Sequence, residues 1–229
     1  VVAGYEVYRN NEYAGGTSEP LFSDNGLDPL TSYEYTVIAY DAAGNLSEES
    51  ATVSTTTLEE SNLFEVSLDN GSDDAEEFDT GFIDLTSTDL ELAYDSVPGN
   101  QTIGLRFHGI DIPQGATIVN AYIEFETDET GSGPASLVIT AENIDNAPTF
   151  TTTPYNISTR LPVSSSVEWN DVAAWTVVDE KHQTPDLSSV IQLVTDRGGW
   201  VAGNAMAFII TGTGTRIAES FNGERLAAP

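Results

Sequence analysis

An all-β fold follows from three features of the sequence: apolar residues that alternate with polar ones over many short runs, turn signals separating those runs at roughly 10–15-residue spacing, and a single stretch with helical periodicity. Gly4-Tyr5-Glu6-Val7-Tyr8-Arg9 alternates, with Tyr5 and Val7 on one face, and Asn10-Asn11-Glu12 supplies a turn. From Tyr33 the chain reads Tyr-x-Tyr-x-Val-x-Ala, the pattern of a half-buried strand, and Asp41-Ala42-Ala43-Gly44-Asn45 turns it. Ala51 to Thr57 is a Thr/Val-rich strand. Residues 58–62 form a short polar linker. Strand-like runs then recur at Phe64/Val66/Leu68, Phe82 to Leu85, Leu90/Leu92/Tyr94, Ile103/Leu105/Phe107, Ala121/Ile123/Phe125, Leu137/Ile139/Ala141, Val167 to Trp169, Ala205 to Thr211 and Ile217 to Phe221. Gly212-Thr213-Gly214-Thr215 reads as a hairpin turn. The one helix spans about 186–197, because Leu187, Val190, Ile191 and Val194 form an i, i+3, i+4, i+7 stripe. Thr184 or Asp186 caps its start, and Gly198-Gly199 stops it.

The 229 residues carry 37 Asp+Glu against 7 Lys+Arg, a formal net charge of −30. Nucleic acid is excluded as a partner, since phosphates require clustered Lys and Arg, and here one lysine and six arginines are scattered. No run of about 18 apolar residues exists to cross a membrane as a helix. A hydrophobic content of 39% with regular alternation argues against disorder. The absence of cysteine excludes a disulfide scaffold. The chain opens at Val1 without Met, as a mature fragment would. Acid excess with almost no lysine fits an extracellular or cell-surface protein of a bacterium in a saline habitat, where salt screens the self-repulsion.

The stretch GYEVYRN…LTSYEYTVIAYDAAGNLSEES…VSTTT, with Tyr33 three residues after Leu30 as in a tyrosine corner, resembles the second half of a fibronectin type III domain. The resemblance covers residues 1–57. It implies strands C, C′, E, F and G of a partial sandwich whose strands A and B are missing. Residues 63–229 resemble bacterial extracellular jelly rolls of the DNRLRE type, related to carbohydrate-binding modules. That likeness rests on IGLRFHGIDIPQGATIVNAYIEFETDE and TPDLSSVIQLVTDRGGWVAGNAMAFIITGTG. It implies a jelly-roll β-sandwich with one short helix, and a last strand missing after Ala227-Ala228-Pro229.

Two constellations are candidates for function. Residues 61–100 hold 11 acids and no base. Asp73, Asp74 and Glu76 are candidate calcium ligands in a loop before a strand, since calcium takes six to eight oxygens; the other reading is a solvated acidic loop. Glu124, Glu126 and Asp128 form a second acidic face, with Arg106 placed to pair with Glu124 across the sheet. For sugars, flat rings cover the apolar face of a pyranose at low entropy cost. The candidates are Phe150, Tyr155, Trp169, Trp175 and Trp200, of which Trp169 alternates with Val167 as a core residue does, Trp200 also has the position of a helix-packing residue, and Tyr155 and Trp175 are the exposed rings; Arg160 is a cation that Arg216 and Arg225 could join.

Catalysis has no support: the two histidines, His108 and His182, sit in no metal or nucleophile motif. The sequence therefore points to a non-catalytic, calcium-stabilised carbohydrate-binding or adhesion module with a fibronectin type III spacer. The alternative is a structural subunit of a filament, sheath or large adhesin, in which copies of the chain donate strands at both ends. Polysaccharide is the partner in the first reading. The chain itself is the partner in the second, which expects other chains to bury Val1 and Pro229.

Overall fold

The computed structural model describes residues 1–58, 62–97 and 99–229. The fold is all-β, and the chain divides into two compact units, Val1–Leu63 and Phe64–Pro229. Residues 59–61 of the expected linker lie outside the described residues, as does Pro98.

In the first unit, β1 (Val2–Arg9), β2 (Glu12–Thr17), β3 (Ser32–Asp41) and β4 (Val53–Thr56) form one antiparallel sheet in the order β2-β1-β3-β4. Asn10 and Asn11 close the first hairpin at φ 51° and 66°. Both positions of a type I′ turn need that left-handed conformation, and asparagine tolerates it. The Asp41 carboxylate accepts N–H bonds from Ala43 and Asn45 and from the Asn45 side chain. These donors hold its pKa below the usual value. The buried Tyr33 hydroxyl accepts the Asp28 N–H at 2.9 Å, the bond of a tyrosine corner.

Strand E does not form. Such a strand belongs to a second sheet, and no strand among the described residues of this unit is there to pair with it. Residues 18–31 instead fold over the Tyr5/Val7 face: Asp24 accepts from Arg9 at 3.0 Å and from the Tyr35 hydroxyl at 2.8 Å, and Phe22 packs on Gly15.

The second unit is a two-sheet antiparallel sandwich. Six strands run in the order β11 (Val167–Trp169), β10 (Ser136–Ala141), β13 (Asn204–Thr213), β8 (Gln101–Ile110), β5 (Asp74–Phe78), β6 (Ile83–Asp84). Four run in the order β12 (Lys181–Gln183), β9 (Glu124–Glu129), β14 (Ile217–Glu219), β7 (Asp89–Glu91). Ile103, Leu105, Leu137, Ile139, Phe208 and Ile210 of the larger sheet meet Leu90, Phe125 and Ala218 of the smaller in one buried core. Helix α1 (Ser188–Thr195) adds Val190 and Val194 to that core. It is shorter at both ends than the expected 186–197. Asp186 accepts the Ser188 N–H and hydroxyl at 2.9 and 2.8 Å, so its carboxylate covers the first turn.

Three expectations change here, and one further strand appears. Asp74–Phe78 is a strand between β8 and β6, not a metal loop. Lys181–Gln183 is an edge strand that its polar side chains concealed. Residues 64–68 form no strand, although Leu68 is buried and donates its N–H to the Pro229 carbonyl at 2.8 Å. Residues 212–215 carry the chain from one sheet to the other instead of closing a hairpin, because β13 and β14 pair with different partners. At the chain ends, Pro229 is buried within its own unit and Val1 is exposed.

Strand β5 places carboxylates on both sides of its sheet. Toward the smaller sheet, Glu76 Oε1 accepts the Glu91 N–H at 3.0 Å and Asp74 Oδ2 accepts the Phe221 N–H at 2.7 Å. Asp74 Oδ1 is buried without a partner. Burial pushes the Asp74 pKa up to about 6. Burial and the Glu91 carboxylate push Glu76 well above the usual carboxylate range. A raised folded-state pKa means stability that is complete below the unfolded value, about 4, and lost as pH rises through the folded value. Glu76→Gln keeps the Oε1 acceptor and removes the charge. Its melting temperature, read by differential scanning calorimetry, is expected to gain on the parent's as pH rises from about 4 to about 9. A constant difference across that range would show that Glu76 ionises without penalty.

Candidate functional site

The outer face of the six-stranded sheet is covered as well. Residues 143–165 cross it and bury Ala147, Phe150 and Ile157 against Ala75, Ile83, Ala205, Ala207 and Ile209. Gly104 makes room for this layer: a Cβ there would lie 2.6 Å from the Phe150 ring.

Buried charges lock the cover down. Glu77 Oε2 accepts the Ile157 and Ser158 N–H groups at 2.8 and 2.9 Å. Arg160 pairs with Glu142 at 2.7 Å, donates to the Pro148, Thr149 and Asn156 carbonyls, and lies over the Phe150 ring at 4.3 Å. Arg106 donates to both Asp73 oxygens at 2.9 Å and to the Ala147 carbonyl at 2.7 Å. Each buried carboxylate on this side therefore has a donor, as burial of charge requires.

At the tip of the cover Tyr155 takes φ 61°, left-handed for a non-glycine residue. Its N–H bonds the Gly81 carbonyl at 3.0 Å, and its ring lies on Gly81, where a Cβ would approach to 2.5 Å. Gly81, at φ 83°, belongs to the turn between β5 and β6, which Phe78 and Phe82 close by backbone bonds. The Phe78 and Phe82 ring centroids stand 5.4 Å apart, tilted by 37°. Tyr155 is 46% exposed and Phe82 57%. Two exposed rings and a third behind them thus flank one turn, at the end of β5 away from Asp73. Phe82 carried no separate signal in the sequence. It read as one more strand residue, and only the turn at Gly81 turns it outward.

The other expected sugar residues are elsewhere. Trp175 is 0% exposed: its ring stacks on His182 at 4.5 Å and tilts against Phe125, because paired bonds to Gly131 turn it inward. Trp200 is buried in the core near α1, donating Nε1–H to the Ile112 carbonyl. Arg160 is consumed by Glu142 and the cover. Arg216 is buried among the Val172, Ala173 and Thr215 carbonyls, and Arg225 lies over Phe221, so no cationic patch forms from these three. Of Tyr155, Trp175, Trp200 and Arg160, Tyr155 alone is exposed.

The expected calcium trio is divided by the pleat. Asp73 faces the cover and Arg106, whereas Asp74 and Glu76 face the smaller sheet. Glu124 pairs with Lys181 at 2.8 Å, not with Arg106, since β9 and β8 lie in different sheets. Among the described residues, Asp89, Asp128 and Glu129 on the smaller sheet form a set of three carboxylates within 4.8 Å of one another. Asp69, Asp73 and the His108 ring also converge; Asp73 and His108 line a polar cleft of about 460 Å³, and His108 Nε2 is 2.6 Å from Asp69. The guanidinium of Arg106 on Asp73 opposes a cation in that cleft.

No protein-family model matches the chain. It is similar to Exoglucanase B of Cellulomonas fimi, 28% identical over 215 residues, which covers 93% of this chain and 17% of that protein. Segments of 56 residues are 52% identical to an alpha-amylase of Niallia circulans and 50% identical to chitinase Chi52 of Paenibacillus xylanexedens. Each covers 24% of this chain, and 4% and 11% of those proteins. A segment of 55 residues is also 42% identical to a poly(3-hydroxybutyrate) depolymerase of Ralstonia pickettii, and the chain spans only a small part of the length of each of these proteins.

Truncating Arg160 to alanine strands Glu142 in the interior, a loss of about 3–5 kcal/mol for a buried pair. Tyr155→Ala, on the surface, is expected to change the unfolding free energy by less than about 1 kcal/mol. Urea titrations of the two variants check the contrast. Equal stabilities would mean that the ion pair does not hold the cover.

Proposed function

We propose that this chain is a non-catalytic carbohydrate-binding accessory module of an extracellular bacterial polysaccharide-degrading protein, with the first unit as a fibronectin type III-like spacer. The observation that carries the reading is the pair of exposed rings, Tyr155 and Phe82, on a turn that a charge-locked cover holds rigid. Rigid aromatic rings offer large contact area at little entropic cost. The names of the relatives point to polysaccharide as the class of ligand and to an extracellular bacterial setting. The net charge of −30 favours neutral chains over anionic ones. The non-enzymatic part of the reading is supported by how little of a relative the chain matches, 17% of the exoglucanase.

Affinity electrophoresis in gels containing hydroxyethyl cellulose, starch or glycol chitin tests this. The parent is expected to be retarded by at least one of them. Tyr155→Ala and Phe82→Ala are each expected to weaken retention about tenfold, the loss of one interface anchor. Unchanged retention in the double variant would remove the aromatic turn from the reading.

Calcium belongs to the same proposal, with Asp89, Asp128 and Glu129 as ligands in place of Asp73, Asp74 and Glu76. The support is their mutual approach within 4.8 Å, close enough to share an ion. Added calcium chloride is expected to raise the melting temperature relative to chelator, and Asp128→Asn to abolish the rise. A melting temperature indifferent to calcium takes the ion out of the proposal.

A further inference from the structure

The first unit carries a ring-lined cleft of its own. Strands β1 and β3 pair Gly4 with Tyr40, Glu6 with Ile38 and Tyr8 with Thr36, so these six residues share the sheet face opposite Tyr5 and Val7. Strand β2 adds Tyr13 opposite Tyr8, and Gly16 opposite Glu6. On this face Tyr13 is 62% exposed, and Leu46, bridged to Tyr40, is 60% exposed. Together with Glu6, Tyr40, Gly16 and Gly44 they line an open cleft of about 260 Å³.

Its floor and walls are preorganised. The Tyr40 ring lies across Gly4, where a Cβ would stand 2.4 Å from Cζ. The Tyr13 hydroxyl lies over Gly16, where a Cβ would stand 3.1 Å away. The Tyr8 and Tyr13 rings meet edge to face at 5.8 Å. Tyr8 donates its hydroxyl to Glu6 Oε2 at 2.9 Å, which fixes the carboxylate beside the rings. Any side chain at Gly4 or Gly16 would push a ring out of place.

We propose that this face of the first unit is a second glycan-contact site, at which Tyr13, Tyr40 and Leu46 receive the apolar face of a neutral sugar ring and Glu6 accepts its hydroxyls. Three features favour that ligand class. Tyrosines supply flat area and hydroxyls at small entropic cost. A fixed carboxylate is a strong hydrogen-bond acceptor for a polyol. Residues 1–60 hold 11 acids and 1 base, so an anionic chain is repelled. The inference takes only its ligand class from the proposed function, and gives the first unit a role beyond that of a spacer.

The test uses the full chain in the same gels, with alginate as the anionic control. The parent, the Tyr155→Ala/Phe82→Ala double variant, and that double variant with Tyr13→Ala added are compared. Tyr13 is exposed at the sheet edge, and circular dichroism checks that the fold is kept. Glu6→Gln, which preserves shape and an acceptor for Tyr8, is the second probe. The double variant is expected to keep measurable retention on a neutral glycan, Tyr13→Ala to weaken that remainder about tenfold, and Glu6→Gln to weaken it measurably. Alginate is expected to retain none of them. Retention that vanishes in the double variant, or is untouched by both Tyr13→Ala and Glu6→Gln, overturns the inference and leaves the aromatic turn standing. Retention lost with Tyr13→Ala but unaffected in the double variant overturns the turn and leaves the cleft. A parent retained by none of the three neutral glycans overturns both.

Discussion

The second unit depends on a sheet buried from both sides. Its central strands β8 and β13 face the sandwich core on one side and the 143–165 cover on the other, and β13 is buried over six consecutive residues. Strand β5, rich in carboxylates, lies within that double burial. Charge cannot be left there unpaired, because desolvation costs several kcal/mol per ion. Asp73 is met by Arg106, Glu77 by two backbone N–H groups, and Glu142 by Arg160. Those contacts are also what fastens the cover, so the residues most costly to bury give the irregular segment a single position.

The site follows from that fastening. A loop of this length with little regular structure would otherwise be mobile. Here its tip is set on the β5–β6 turn by the Tyr155–Gly81 contact, and its stem by Arg160 over Phe150. The left-handed Tyr155 is a local strain that the surrounding bonds sustain. The exposed rings of Tyr155 and Phe82 are thereby held beside one turn.

The inner side of β5 is organised differently. Glu76 accepts the Glu91 N–H from the facing strand and Asp74 accepts the Phe221 N–H, and among the described residues neither pairs with a cation. Burial raises their pKa values, whereas on the cover side the carboxylates meet arginines or pairs of backbone N–H groups. Strand β5 thus separates two settings for buried acid: charge-matched or amide-bonded outward, and carboxylates with raised pKa values inward.

The sequence by itself determined the fold class, most strand positions, the tyrosine corner and the helix. Each of these is written in local periodicity, such as Tyr33 to Ala39 or Leu187 to Val194, and periodicity is a property of neighbours along the chain. The alternation of Glu124, Glu126 and Asp128 with buried Phe125 was legible for the same reason. Tertiary structure alone decided which acids meet which cations, and which rings reach solvent. Asp73 and Asp74 are adjacent in sequence yet open to opposite sides of a sheet, because β5 is placed in the ladder by β8, not by its own residues. Trp175 looked exposed and is buried because Gly131 pairs with it from 44 residues away. Phe82 looked like strand and is exposed because a glycine turn beneath Tyr155 redirects it. Partner identity depends on contacts between distant segments, and no local pattern encodes those.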